Sequence, residues 1–365
     1  MSRQGDSIYH RKDGSWEARY VKEIDASGKK KYGSVYAKTR SKAREKRQAV
    51  MDNILLYQTP LGPRNITVGR LVCEWMSINR QRVKISTLQR YKGFWRNHIE
   101  QTIGNRTAIS CTTIVIHEFA LERLNSGLSP VSVNAVLAFL HSCLKYGHRQ
   151  YKLPMPDMIY FPREKIEMRV LSQNEQVRLE AYLLNDMDIY KFGVLLCLYT
   201  GLRIGELCAL QWRDITKEGV TVRKTMQRLQ KESGNGSQVY VGSPKTKTSE
   251  RIIPLPTFLF EYIDFFRQER NPNDYVLSTD EKPIIEPRVM QYRFKKYMKD
   301  VGIDGATFHT LRHSFATRCV DIYNFEIKTL SEILGHSTVE MTLNRYVHSS
   351  LELKRSNMER LQLLS

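Results

Sequence analysis

Cysteine is scarce and unpatterned in this chain: six residues in 365, at positions 73, 111, 143, 197, 208 and 319, with no Cys-x-x-Cys among them. That spacing argues against the common zinc and dithiol motifs. Most of the six lie in apolar, helix-like stretches such as Val194-Leu-Leu-Cys197, which predicts buried thiols in a reducing compartment. Long apolar runs are missing as well. None approaches the ~18 residues of a membrane span. The opening residues, Met1-Ser-Arg-Gln-Gly-Asp6, lack the apolar segment of a signal peptide. The expectation is a cytoplasmic protein without membrane contact. There is no Gly-x-x-x-x-Gly-Lys-Ser/Thr loop and no evident carboxylate pair for metal-dependent phosphoryl transfer, so no nucleotide, metal or other cofactor is expected.

Negative charge is the other deficit. Asp and Glu number 38 against 57 Lys and Arg, a formal net charge of +19. An excess of that size points to a polyanionic partner. It is uneven: residues 1–60 carry 14 basic against 7 acidic side chains and residues 61–160 carry 13 against 5, while residues 161–365 carry 30 against 26. The first 160 residues therefore hold most of it. Length alone suggests two or three domains.

Residues 7–38 read as strands, with Trp16, Ala18 and Tyr20 alternating with Glu17, Arg19 and Val21 and with turn signals at Asp13-Gly14 and Asp25-Ala-Ser-Gly28. A third strand spans Lys31 to Tyr36, and Thr39 can cap a helix to about Tyr57. Such a basic sheet can read a DNA groove; Arg19, Lys22 and Lys31 are its expected DNA contacts. After Pro60-Leu-Gly-Pro63, residues 66–151 look all-helical, in segments 67–79, 84–101, 111–125 and 129–150, with Ser86 a cap for the second and Pro130 at the start of the fourth. The second segment mixes Arg90, Lys92 and Arg96 with Tyr91, Phe94 and Trp95. It suits a helix gripping DNA phosphates and equally a core helix with a charged outer face.

Three prolines mark residues 152–169 as an extended linker. Leu171-Ser172 to Glu175 is a capping-box start, followed by helices over 172–185 and 187–200. Strands near 219–227, 238–242 and 250–254 predict one small antiparallel sheet, and helices fill most of the chain from 285 onward. The fold class expected is multidomain α+β: a three-stranded sheet plus helix (1–58), an all-helical domain (66–151), a linker (152–169), a mainly α domain with a small antiparallel sheet (170–350), and an amphipathic tail helix (351–365) presenting Leu351, Met358, Leu361 and Leu364.

Four short strings carry chemistry. Thr200-Gly-Leu-Arg203 points a guanidinium out of a helix junction, with Glu206 placed as a carboxylate that orients its neighbours. His309 and Arg312 share one helical face at i and i+3, whereas His313 reads as turned away from it. Leu334-Gly-His336 presents a histidine on a turn, and Tyr346 follows ten residues later. Arginine grips phosphate through paired hydrogen bonds and stays charged. A tyrosine hydroxyl, with an ordinary pKa near ~10, needs cations or a base before it can attack.

Taken together, Thr-Gly-Leu-Arg203, His309-x-x-Arg312, Leu-Gly-His336 and Tyr346 resemble the catalytic signature of the tyrosine recombinases, the phage integrase family. The segment Ser243-Pro-Lys245 to Arg251-Ile-Ile-Pro254 looks like that family's lysine-bearing hairpin, with Lys245 the better match and Lys247 the alternative or a DNA contact. The resemblance implies that Tyr346 attacks DNA to give a 3′-phosphotyrosyl bond, Arg203 and Arg312 hold the phosphoryl oxygens, and Lys245 protonates the leaving 5′ oxygen. It implies that His309 helps remove the tyrosine proton and His336 supports phosphate or nucleophile. The implied domains are arm-binding (1–58), core-binding (66–151) and catalytic (170–350). The implied partners are double-stranded DNA at core and arm sites, three further copies in a homotetramer, and an excisionase or a host DNA-bending protein. The expected function is integration and excision of a mobile element such as a phage or conjugative transposon. The alternatives are a chromosome or plasmid dimer resolvase or invertase of the same chemistry, and a catalytically silent DNA-binding protein.

Overall fold

The structure, a computed structural model, describes residues 7–24, 30–57, 65–162, 168–231, 236–243 and 250–346, together with Arg355, Met358 and Glu359. The chain divides into two compact units, residues 1–165 and 166–365.

In the first unit, strands β1 (Ile8–His10), β2 (Trp16–Ile24) and β3 (Lys30–Ala37) form an antiparallel sheet in that order. The alternation read from the sequence sets its faces. Ala18 and, from helix α1 (Arg40–Tyr57), Ala43 are fully buried, while Arg19, Tyr32 and Tyr36 are exposed. Thr39 caps α1, its hydroxyl accepting from Lys42 N at 3.3 Å. Four helices follow: α2 (Val68–Asn79), α3 (Ile85–Phe94), α4 (Thr113–Asn125) and α5 (Pro130–Tyr151). Thr67, Thr112 and Ser129 cap α2, α4 and α5, and Pro130 occupies the first turn of α5. Helix α3 starts after Lys84, which offers no side-chain cap, so Ser86 lies inside the helix rather than ahead of it. Its continuation, Trp95–Ile99, widens into a π turn.

Residues 152–162 adopt neither helix nor strand but are held to this unit. Asn134 Nδ2 donates to Phe161 O and Phe161 N donates to Asn134 Oδ1, each at 2.9 Å, while Leu153 is buried in the helical core.

The second unit opens with α6 (Gln173–Leu184), whose Ser172–Glu175 capping box is present as expected, then α7 (Ile189–Thr200) and α8 (Ile204–Ala209). Of the twelve residues of α7, nine are buried, which makes it the central helix of the unit's core. The single sheet expected here is two among the described residues. Strands β4 (Ile215–Thr216), β5 (Gly219–Val222) and β8 (Arg251–Ile253) form one, and β6 (Thr225–Gln230) with β7 (Ser237–Gly242) the other. Arg223 and Lys224 separate β5 from β6, so the strand read as 219–227 is broken in the middle. Helices α9 (Leu259–Arg267), α10 (Pro287–Asp300), α11 (Phe308–Asp321), α12 (Ile327–Leu334) and α13 (Val339–Tyr346) complete the unit. Five of the six cysteines are buried, and Cys73 is exposed. Among the described residues no helix is long and apolar enough to cross a membrane.

Candidate active site

The site is assembled from helix ends. Helix α7 stops at Gly201, whose left-handed backbone (φ 65°) reverses the chain. A side chain could not replace it: a Cβ there would lie 2.7 Å from the Phe315 ring. The reversal places Arg203 at the N-cap of α8, where its backbone N–H donates to Glu206 Oε2 (3.1 Å) and its Nη1 pairs with Glu206 Oε1 (2.7 Å). Helix α12 likewise stops at a left-handed glycine, Gly335. That turn presents His336, whose Nδ1 lies 2.7 Å from the hydroxyl of the fully buried Thr342.

Arg312 ties these ends together. It is 2% exposed; its Nη1 donates to Gly201 O (2.7 Å) and its Nη2 to Leu334 O (2.6 Å). Arg203 Nη2 reaches Gly335 O at 3.3 Å. Both guanidiniums therefore converge on the turn that carries His336. Burial, and then the neighbouring Arg203, push the Arg312 guanidinium down from its ordinary value, but it stays cationic at neutral pH.

Arg251, not singled out in the sequence, is the third cation. Its side chain is 6% exposed; Nη2 pairs with Glu206 Oε2 at 2.9 Å and Nε donates to Ile333 O at 2.5 Å. Glu206 thus joins Arg203 to Arg251, the orienting role expected for it. Burial raises its carboxyl pKa, but Arg251 and then Arg203 outweigh burial, so the net displacement is downward. Glu206→Gln is expected to destabilise the protein by roughly 3–5 kcal/mol, mostly through Arg251 left buried without its counter-charge. The pair's contribution is full above the unfolded carboxyl pKa of ~4.3 and fades as pH falls through the lowered folded value, so the variant should lose that acid-side dependence. Urea unfolding at pH 7 and pH 3.5 measures both; a loss at pH 7 below ~1 kcal/mol would contradict the pairing.

Tyr346 ends α13 and is 3% exposed, packed with Phe315, Ala316, Cys319, Leu330 and Leu334. Its ring lies parallel to that of His336 with centroids 6.4 Å apart. The hydroxyl is 2.8 Å from Nδ1 of His313, which corrects the reading of His313 as turned away. Residues 309 and 313 are one turn apart (i, i+4) on α11 and so share a stripe, with ring centroids 4.5 Å apart. His309 is exposed and His313 buried. Burial raises the Tyr346 pKa, against the opposing pull of Arg312, Arg345 and Arg203. Burial, then Arg312 and Arg203, lowers His336 to about 3, so that ring is neutral at physiological pH.

Of the six residues expected at the site, Arg203, His309, Arg312, His336 and Tyr346 are brought together. Lys245 and Lys247 lie outside the described residues. Among the expected DNA contacts, Arg19 and Lys31 are exposed on the sheet, and Lys22 falls in β2, its side chain outside the description. Arg90, Lys92 and Arg96 are exposed, while their aromatic neighbours turn into the helical core, where Tyr91 stacks on Phe139 at 4.7 Å. The helix therefore has a packed aromatic face and a charged outer face.

Comparison with known proteins agrees with this geometry. Residues 169–352 match the model of the phage integrase family. The chain is 27% identical to a XerC-like tyrosine recombinase of Caldanaerobacter subterraneus, over 92% of this chain and 93% of that one. It is 24% identical to the ICEBs1 integrase of Bacillus subtilis, over 78% and 80% respectively. In fold it resembles the Tn1549 transposon integrase in complex with circular intermediate DNA (TM-score 0.69, 22% identity, 81% of this chain and all of that one). It also resembles lambda integrase in a tetramer bound to a Holliday junction (TM-score 0.57, 14% identity, 96% of this chain and all of that one). The family match spans more than half of the chain and includes every helix end that meets at Arg312, so the chain belongs to the phage integrase family and is a tyrosine-type site-specific DNA recombinase.

Proposed function

We propose that the chain integrates and excises a mobile element by cutting DNA with Tyr346. The observation that carries this is the convergence of Arg203, Arg312, His336 and Tyr346 on the ends of α7, α12 and α13. Tyr346 Oη forms a bond to phosphorus and the bond to the 5′ oxygen breaks, leaving a 3′-phosphotyrosyl ester. Arg203 and Arg312 hold the non-bridging oxygens with their remaining N–H groups, and Lys245 gives the leaving oxygen its proton. His309 helps draw the tyrosine proton away and His336 supports the tyrosine ring. The ester conserves the energy of the broken bond, so no nucleotide is consumed.

In this reading residues 1–58 bind arm sites, 66–151 grip the core site, 152–169 connect, 170–350 cut, and 351–365 join protomers. Arg19 and Lys31, both exposed on the sheet, and the exposed Arg90, Lys92 and Arg96 supply phosphate contacts. The solved relatives on circular intermediate DNA and on a Holliday junction support duplex binding and tetramer assembly here. An apolar groove of about 540 Å³, lined by Tyr199, Phe258, Phe315, Cys319, Tyr323 and Phe325 among others, fits the apolar stripe of a neighbouring protomer's tail. An excisionase or a host bending protein sets the direction.

The test uses duplexes copied from the junctions between the element and its chromosome. A fragment beginning at Asn65 should still form a covalent adduct on a nicked junction duplex while losing affinity for distal arm sequences. Binding should fall steeply with salt. No adduct from the intact chain would overturn the cutting reaction; full arm affinity in the fragment would overturn the arm assignment.

A further inference from the structure

Tyr346 poses a question that the two arginines leave open: where its proton goes. The hydroxyl is buried and protonated, and a buried O–H needs an acceptor. The cations grouped around it, Arg312, Arg345 and Arg203, have no lone pair to offer. Among the described residues the acceptor in place is Nδ1 of His313, at 2.8 Å. A second observation concerns His313 itself. It is 8% exposed and held from two helices, by the edge-on ring of His309 on α11 and by Tyr346 on α13, so its imidazole has little freedom to point elsewhere.

We propose that His313 is a further catalytic residue: it holds the Tyr346 hydroxyl through Nδ1 and takes its proton as the tyrosine attacks. This rests on Tyr346 being the nucleophile. As the Oη–phosphorus bond forms, the hydroxyl proton passes to Nδ1 and His313 becomes imidazolium. The phosphorus–5′ oxygen bond breaks and that oxygen takes its proton from Lys245. In the rejoining step the incoming 5′-hydroxyl gives its proton to the lysine, and His313 returns its own to the departing phenol. His309, exposed and one turn earlier, acts on the tyrosine through His313 rather than by direct contact.

The surroundings suit a base that acts only on bound DNA. His313 faces His309 and Arg312 on its own helix and Arg345 and Tyr346 on α13. Arg203 and His336 complete the shell around the tyrosine. Burial first, then His309, Arg345 and Arg312, holds His313 down at about 4, so its lone pair is free at neutral pH but its pull on a proton is weak. A phosphodiester seated between Arg203 and Arg312 brings a negative charge that offsets those cations and strengthens that pull. The tautomer follows from the same argument: the proton on neutral His313 sits on Nε2.

The experiment follows covalent adduct formation by the full-length chain on the nicked junction duplex, from pH 6 to pH 9. His313→Ala removes the contact. His313→Asn keeps a hydrogen-bond acceptor of similar reach that cannot take a proton, and covers the case in which the alanine variant fails to fold. Both are expected to bind the duplex as wild type does. Both should cleave roughly 10²–10⁴-fold more slowly at pH 7, with a rate that climbs about tenfold per pH unit as the tyrosine must ionise unaided. Wild type should be much flatter. Placing a fluorinated, more acidic tyrosine at position 346 should shrink the gap between His313→Asn and wild type. Wild-type rates in either folded variant, a deficit equal at every pH, or a gap indifferent to the acidic tyrosine would each overturn the proposal. An adduct formed by Tyr346→Phe would instead overturn the identity of the nucleophile, so the two failures are distinguishable.

Discussion

Tyr346→Phe should bind DNA as wild type does and form no covalent adduct with a nicked junction duplex. The substitution removes one oxygen and leaves the ring among Phe315, Leu330 and Leu334, so packing is retained. What is lost is the bond to His313 Nδ1, which leaves that nitrogen buried without a partner. The structural cost should be about 1–3 kcal/mol, too little to unfold a domain of this size under ordinary conditions. The chemical loss should be complete, because no other group stands where the hydroxyl stood. Residual adduct above background, mapped by peptide analysis to another tyrosine, would show that the tail is misread and that the buried hydroxyl serves packing alone.

The second large effect belongs to Arg312. Arg312→Ala should slow cleavage by at least ~10²–10³, the usual consequence of losing one donor to a charge-rich transition state. It should also destabilise the second unit. The carbonyls of Gly201 and Leu334 would lose their partner in a buried setting, at roughly 1–3 kcal/mol for each. Arg312→Lys should rescue little of either effect, since a compact ammonium lacks the planar fork whose two nitrogens reach separate carbonyls and also make a paired contact to a phosphate. Arg203→Ala should separate the two effects. Its side chain is 37% exposed and bound mainly to Glu206, so the rate should fall comparably while stability changes less. Single-turnover cleavage and urea unfolding of the three variants test this. Equal destabilisation by Arg203→Ala and Arg312→Ala would remove the bridging role assigned to Arg312.

Much of this was legible in the sequence where a local rule applies. The alternation of Trp16, Ala18 and Tyr20, the Ser172–Glu175 box and the Ser129-Pro130 start each act within a few residues, and the corresponding elements are present. The site strings were legible for a related reason: Gly201 and Gly335 each end a helix, so Arg203 and His336 had to lie on turns. His313 departs from the expectation because its partner on α11 is His309, four residues back, and not the face shared by His309 and Arg312. The helical period alone would have placed the two histidines together. Arg251 was out of reach, since its pairing with Glu206 spans 45 residues and depends on how β8 packs against α12. The break between β5 and β6 likewise depends on tertiary packing rather than on local pattern, whereas α9 buries Leu259 and Ile263 at i and i+4, a helical spacing that the sequence does carry.

The acceptors of Arg312 are main-chain oxygens, at Gly201 and Leu334. Every residue type carries such an oxygen, so the bridge constrains the path of the backbone and not the identity of the residues along it. Around one fixed arginine and two chain-reversing glycines, the remaining side chains are free to drift as long as the core is filled. A scaffold held in this way keeps its helix ends in place through main-chain atoms, so a change of side chain at position 334 would leave the acceptor of Arg312 intact.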